Sequence, residues 1–527
     1  MKINFYYIVF LLVIMLTSCD YLDVPFDNRA QVDSEEKVGM LLVSAYTTAT
    51  EWVIAEFSSD NVDHMIGLGF NELSAVQGEA YRWEQITGDV NSQDTPDFVW
   101  NRAFRAIANA NLALESIERL ERETGLTPGL RAFRAEAMMA RAYHHFLMAS
   151  IFCMPFGSNA ANELGLPYIT QLETTVAPIF ERGTLLELFE NINRDIVAAL
   201  PHITDEFLVT NTRQYRFNRR AAHAFAARFN KHFHQWEEVV RHADFVLGNN
   251  PASVLRDWEH GGRLSFTGSN DPARGNWFVY RNEANLLNTV AASLHWRFMV
   301  AARSGTQYAH NVWISRTETV ESVTPWGGGQ GGMFFSEFAW TVPPKVFVPK
   351  FEEYFQFLDP IQGVGLPNII QVHFTTDETL LTRAEAHIML GNYDDAVADM
   401  NMFMLNFMRG ATPRTKQQII NFYNSRNYYR PDHPTPKHEL RNPDLGIVSG
   451  SEKANLLHAV LHMRRMLTLH EGLRWQDIRR HGIEITRRDV EDGVLVGTGD
   501  VLRFDDPRRA IQIPESVAAA GVEKNRR

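Results

Sequence analysis

The chain has 527 residues, a formal net charge of −12, 45% hydrophobic residues and 22% charged residues. That composition excludes a disordered chain and allows a large buried core, and the acidic balance argues against general nucleic-acid binding, which needs a basic face. Eleven tryptophans, within an aromatic share of 11%, leave room for a surface that stacks flat ligands as well as for a core.

The chain opens on Lys2 and an apolar run from Ile3 to Leu16. The run is shorter than the roughly 20 residues of a bilayer span and has the layout of a secretory signal. A buried first helix or a signal anchor is the alternative. Leu16-Thr17-Ser18-Cys19 resembles a bacterial lipobox, in which the cysteine becomes the first mature residue and its thiol carries a diacylglycerol. On this reading residues 1–18 are a lipoprotein signal peptide, Cys19 is the lipidation site, and 19–30 form an acidic tether containing Asp20, Asp23, Pro25 and Asp27. Several acyl chains anchor stably where one is marginal. Cys153 is then the only thiol free in the mature chain, and no intramolecular disulfide can form.

The first half is helical by period. Thr95-Pro96-Asp97 starts a helix in which Trp100, Phe104, Ile107, Asn111 and Leu114 recur at helical spacing, until Gly125-Leu126-Thr127-Pro128 breaks it. A second helix is expected from about Leu130 to Ile151, with small residues Ala135, Ala137, Ala140 and Ala142 for close approach. A third follows Arg182-Gly183-Thr184 and ends at Pro201. Two segments then share one plan: an alanine-bearing helix, a tight break, an aromatic residue and a second helix, at 218–248 and 378–405. This plan resembles the tetratricopeptide hairpin. Residues 250–375 and 426–450 show little helical period and many Gly, Pro, Asn and aromatic residues. Long irregular stretches in a compact protein are functional or disordered, and the aromatic content of the first favours an ordered, functional insert.

Motifs for catalysis are missing. Gly327-Gly328-Gly329-Gln330-Gly331-Gly332 lacks the preceding strand and the Lys-Ser/Thr of a phosphate loop, and reads better as a ligand-facing or hinge loop. His470-Glu471 lacks the second histidine of a zincin, and the adjacent His144 and His145 point about 100° apart on a helix. No motif nominates the carboxylate pair of a glycosidase. Glu471, Arg474, Asp477 and Arg480 stand three apart and predict a charge ladder on a helix, with Trp475 and Ile478 facing inward.

Taken together, several collinear segments resemble the SusD-like (RagB/SusD) family of outer-membrane nutrient-uptake lipoproteins. They are Cys19 with Tyr21-Leu22-Asp23; WNRAFRAIANAN from Trp100; RAEAMMARAYHHF with Pro155-Phe156-Gly157 and Leu166-Pro167-Tyr168; RGTLLELFENINRDIVAALP; the two hairpins; EGLRWQDIRRHG; and Ala510 to Pro514. The chain departs from the family where its usual Glu-Arg appears as Arg464-Arg465, and where the tail ends GVEKNRR instead of a Gln-Asn-Pro type. Both departures are expected to touch C-terminal packing and not the binding face.

The resemblance implies a mainly α fold: tetratricopeptide-like hairpins form a scaffold, and long aromatic loop insertions carry the ligand face. It implies one SusD-like domain over 31–527, with helical parts at about 31–249 and 376–527 around a loop-rich insert at about 250–375. It implies a surface-exposed, lipid-anchored outer-membrane protein that captures oligosaccharides and hands them to a SusC-type TonB-dependent β-barrel without catalysis; the sequence nominates no cofactor and no metal ligands. A peptide-binding member of the family, a surface glycoside hydrolase and a ligand-free scaffold are the alternatives. Sugars offer apolar C–H faces and many hydroxyls, which suit aromatic platforms flanked by polar groups. The candidates are Tyr81, Trp83, Trp277, Tyr280, Trp296, Trp313 and Trp326, with Asn276 and Arg281 as polar partners. Trp326 is favoured, because a glycine-rich loop seldom builds a core.

Overall fold

The computed structural model describes residues 32–67, 69–88, 91–172, 180–260, 282–300, 306–334, 338–341, 344–348 and 350–527. Cys19, the signal and tether segments, and Asn276, Trp277, Tyr280 and Arg281 lie outside the described residues.

Helices begin where the sequence supplies caps. Helix α1 (Glu35–Leu42) is capped by Ser34 and is followed by the short α2 (Trp52–Ser58) and α3 (Ala75–Tyr81). In α4 (Pro96–Thr124) the Thr95 hydroxyl accepts the Phe98 N–H, Pro96 fills a position that needs no donor, and Gly125 ends the helix at φ 84°. The Thr-Pro start recurs in α5 (Pro128–Phe152), and Thr184 and Glu187 form a reciprocal capping box on α6 (Leu185–Ala199). The first expected hairpin is α7 (Arg219–His232) and α8 (Trp236–Leu247). Two short helices, α9 (His295–Val300) and α10 (Val312–Glu318), lie in the insert. The second hairpin is α11 (Thr376–Leu390) and α12 (Tyr393–Phe407), turned by Gly391 in the left-handed region at φ 84°. The helices α13 (Lys416–Asn424), α14 (Glu452–Leu467), α15 (Leu473–His481) and α16 (Glu515–Ala519) complete the series.

Neighbours in the chain pack in pairs: α4 on α5, α5 on α6, α7 on α8 and α11 on α12. Helix α8 also packs on α11, so hairpins far apart in sequence stack side by side, and α14 lies against α11. Two adjoining apolar cores result. One holds Ile107, Phe146, Ile192 and Phe225; the other holds Leu381, Met400, Phe403 and Met463. His144 and His145 are core residues. Each Nδ1–H donates to the carbonyl four residues back (Ala140, 2.7 Å; Arg141, 2.9 Å), and each Nε2 accepts a backbone N–H, from Thr47 and Ile169. Among the described residues no helix is long and apolar enough to cross a membrane.

The chain also contains strands, most of them in the insert, that helical periodicity does not reveal. In chain order β1 (Asp63–His64), β2 (Asn285–Ala292) and β3 (Tyr308–Ala309) come first, and β1 pairs antiparallel with β3. β4 (Val323–Thr324) and β5 (Gly327–Gly328) make one tight hairpin, β6 (Phe338–Thr341) and β7 (Pro344–Phe347) another. β8 (Tyr354–Asp359) and β9 (Val364–Thr375) join β2 in an antiparallel sheet with β9 central. β10 (Ile485–Glu491) and β11 (Val494–Leu502) form a last hairpin, which stands against β1.

Candidate ligand cleft

Four segments remote in sequence meet in a cleft of about 300 Å³. The turn after α2 brings Asp60, Val62 and Asp63; helix α10 brings Trp313, Ile314 and Glu318; the 429–438 loop brings Tyr429, Asp432 and His438; and the β10–β11 hairpin brings Ile485 to Arg488 and Leu495. Local chemistry fixes each. The Asn311 side chain accepts the Ile314 N–H at 3.0 Å and starts α10, which turns Ile314 and Glu318 inward and leaves Trp313 63% exposed. Asp63 pairs across the ladder with Ala309 and binds the Arg488 guanidinium. The Tyr429 ring lies nearly parallel to His438, 4.5 Å between centroids. Exposed Ile66 and Leu495 extend the apolar rim around Trp313.

The floor is a sealed set of ion pairs. Arg474 holds Asp60 with two hydrogen bonds, 2.8 and 2.7 Å, and Arg465 donates to Glu318 at 2.7 Å and lies 3.3 Å from Asp60. Burial pushes the Asp60 carboxyl up, but Arg465 and Arg474 outweigh it and hold it well below the usual carboxylate range. His438 Nε2 lies 3.4 Å from Glu318 and 3.6 Å from Asp60; burial lowers its pKa, against the pull of both carboxylates. Asp60, Glu318 and His438 bring three ligand-type atoms within 4.8 Å of one another. The two arginines already supply the compensating charge, so the cluster is built as an ion-pair network and not as a cation cage.

Of the described aromatic residues nominated by sequence, the cleft contains one, Trp313. Tyr81 and Trp83 are 3% and 1% exposed, which corrects the expectation that they stack on ligand. They support the wall instead. The Arg487 guanidinium sits 3.9 Å from the Tyr81 ring and 4.5 Å from the Trp83 ring, and the Trp83 indole N–H donates to Ser58 O at 2.9 Å. Trp326 is also a correction: it is 2% exposed, and its indole N–H donates to Asn401 Oδ1 at 2.8 Å. Gly328, close beside it, serves close backbone approach, since a Cβ there would stand 2.3 Å from Ser322 O. Half-buried Trp296 packs edge-on against Phe347 and does not line the cleft.

The charged segment at 471–480 is likewise different from the expected ladder. Glu471 precedes α15 and binds Lys350 at 2.8 Å; Arg474 reaches Asp60; Asp477 binds Arg464 at 2.9 Å; only Asp477 and Arg480, 3.4 Å apart, pair within the helix. Trp475 and Ile478 are fully buried, as their spacing predicts. Arg465, assigned by sequence to C-terminal packing alone, forms the floor of the cleft. Sequence reasoning also missed Asp60, Asp63, Tyr429 and His438; the tyrosine pair 428–429 in the irregular 426–450 stretch was the available signal.

A larger concavity, about 570 Å³, lies between residues 166–172 and Phe180–Asn191. Its Tyr168 is committed to His145, ring centroids 4.1 Å apart, and to a hydrogen bond with Asp195. Among the described residues its lining contains no tryptophan.

Residues 20–230 match the SusD-like family model described as "Starch-binding associating with outer membrane". Over that part the chain is similar to SusD-like proteins. The fold is similar to that of solved structures over nearly the whole length of the chain. A SusD superfamily protein from Bacteroides thetaiotaomicron superposes with a TM-score of 0.63 at 17% identity, covering 94% of this chain and 100% of that one. One from Bacteroides fragilis gives 0.59 at 16% identity, covering 92% and 98%. A SusD-like carbohydrate binding protein from Bacteroides vulgatus gives 0.55 at 14% identity, covering 93% and 96%. The chain has no sequence match among curated proteins.

Proposed function

We propose that this protein captures oligosaccharides in the Trp313 cleft at the outer membrane, anchored through Cys19, and passes them to a SusC-type TonB-dependent barrel without chemical change. The observation that carries the reading is the exposed Trp313 indole at the mouth of a cleft lined with hydrogen-bonding carboxylates. An indole face matches the C–H face of a pyranose, and the carboxylates accept from its hydroxyls. The family description and the carbohydrate-binding relative support the ligand class. Absence of catalysis fits the floor, where both oxygens of Asp60 are taken up by Arg474 and neither stands free as a nucleophile.

The test is calorimetry of residues 20–527 against neutral oligosaccharides and a peptide pool, with reducing ends assayed on every saccharide that binds. Saccharide binding without new reducing ends is expected. Binding of peptides alone, or release of reducing ends, contradicts the proposal.

A further inference from the structure

Resting on the saccharide reading of this cleft, we infer that it discriminates by charge, accepting uncharged saccharides and rejecting those that carry carboxylates or sulfates. Five carboxylates line it: Asp60, Asp63, Glu318, Asp432 and Glu484. Each has its own cation. Arg474 and Arg465 serve Asp60 and Glu318, Arg488 serves Asp63, Arg430 serves Asp432 at 2.6 Å, and Arg441 serves Glu484 at 3.2 Å.

The two arginines in the lining are committed as well. Arg487 donates to the carbonyls of Phe57, Ser58, Ser59, Val62 and Tyr81, and Arg488 binds Asp63 and reaches the His64 carbonyl. The guanidiniums of the floor lie deep, with the Arg465 and Arg474 side chains 1% and 3% exposed. At the rim Asp432 and Glu484 line the cleft, while their partners Arg430 and Arg441, 69% and 47% exposed, stand outside the lining.

An anionic ligand would therefore shed its hydration against a rim of carboxylates, with the lining guanidiniums already bound to protein acceptors. A neutral sugar meets the opposite situation. Each carboxylate has several lone pairs, more than its arginine uses, and these accept hydroxyl hydrogens. The specificity resides in what the arginines are bound to, since freeing any one of them would convert the same cleft into an anion site.

The experiment uses a matched pair on residues 20–527. The probe is a neutral oligosaccharide from a panel of 1,4-linked glucose, xylose and mannose oligomers, beside the same oligomer with a carboxylate introduced by oxidation. At low ionic strength the oxidised form is expected to bind at least about tenfold more weakly, with the ratio narrowing as salt rises and narrowing again in Asp432→Asn and Glu484→Gln. Equal or tighter binding of the oxidised form overturns the charge inference while saccharide capture stands. A ratio insensitive to both salt and substitution overturns it too, because the loss is then that of a hydroxyl contact. Failure of every panel member, neutral and oxidised, overturns the saccharide reading and this inference with it.

Discussion

Arg464 and Arg465 are consecutive on one helix, about 100° apart around its axis, and they serve two regions of different character. Arg464 is sealed in the helical interior, where it donates to Asp477 and Glu378, both at 2.9 Å, and to Thr382 at 3.2 Å. Arg480 and Glu385, 2.6 Å apart, continue that network. Arg465 makes similar bonds to Asp60 and Glu318, but those two acids border the cleft. The interior set leaves no surface for a ligand; the cleft set leaves carboxylate lone pairs facing space. Buried ion pairs by themselves do not mark a site. The adjoining cavity and the exposed ring at its mouth do.

Acid should break the interior most strongly. Burial, helped by nearby cations, holds His145, His373, His462 and His470 down to about 3. The unfolded chain binds protons at these sites below about pH 6.5 while the fold does not, so stability falls as pH falls through that window, on the order of 1 kcal/mol per histidine per pH unit. Glu51 and Asp94, raised by burial to about 7, act in the opposite sense: their contribution is present at low pH and lost as pH rises toward 7. Glu56, Asp377, Asp399 and Glu471 are raised as well, but the lowered histidines, His242, His310 and His458 among them, outnumber the raised carboxyls and set the direction. Thermal melts should show Tm falling steadily from about pH 6.5 to 5; a flat profile would show that the histidines are not held neutral.

Next in size is Arg464→Met. It removes the shortest bonds of Glu378 and Asp477, leaving them Arg228 at 3.3 Å and Arg480 at 3.4 Å, and should cost about 3 kcal/mol in urea denaturation. Arg465→Met should cost less, about 2 kcal/mol, because Asp60 keeps its Arg474 clamp and Glu318 keeps His438 within 3.4 Å. Protonation of His438 can then replace the lost cation, so the Arg465→Met deficit should shrink on mild acidification and the Arg464→Met deficit should not. Paired urea curves at two pH values decide this; equal pH behaviour would erase the distinction between the regions. Smallest in stability is Trp313→Ala, expected within about 0.5 kcal/mol of wild type because the ring is mostly exposed, while saccharide affinity should drop about tenfold or more. Denaturation and calorimetry on the same preparation separate the two effects.

The helical scaffold was legible because its signals are local. Thr95, Thr127 and Thr184 cap, Gly391 turns, and apolar spacing runs between them. The sheet was not: β2 and most of β9 are buried on both faces, so no alternation shows, and their partners lie some eighty residues apart in the chain. At the cleft only Trp313 could be read, since the residues converge from four segments that have no pattern of their own. The charges at 471–480 misled for a related reason. Spacing of three suggested partners within the helix, whereas Glu471, Arg474 and Asp477 find theirs on Lys350, Asp60 and Arg464. Trp326 misled because glycine was taken as a sign of an open loop, where it permits a tight approach beside a core ring.

The most direct test of the central claim is the structure of the protein with the tightest-binding neutral oligosaccharide. The account predicts a sugar ring against the Trp313 indole, about 4 Å away, with hydroxyls on the carboxylates of the cleft. A ligand seated elsewhere, with Trp313 free in solvent, would contradict it.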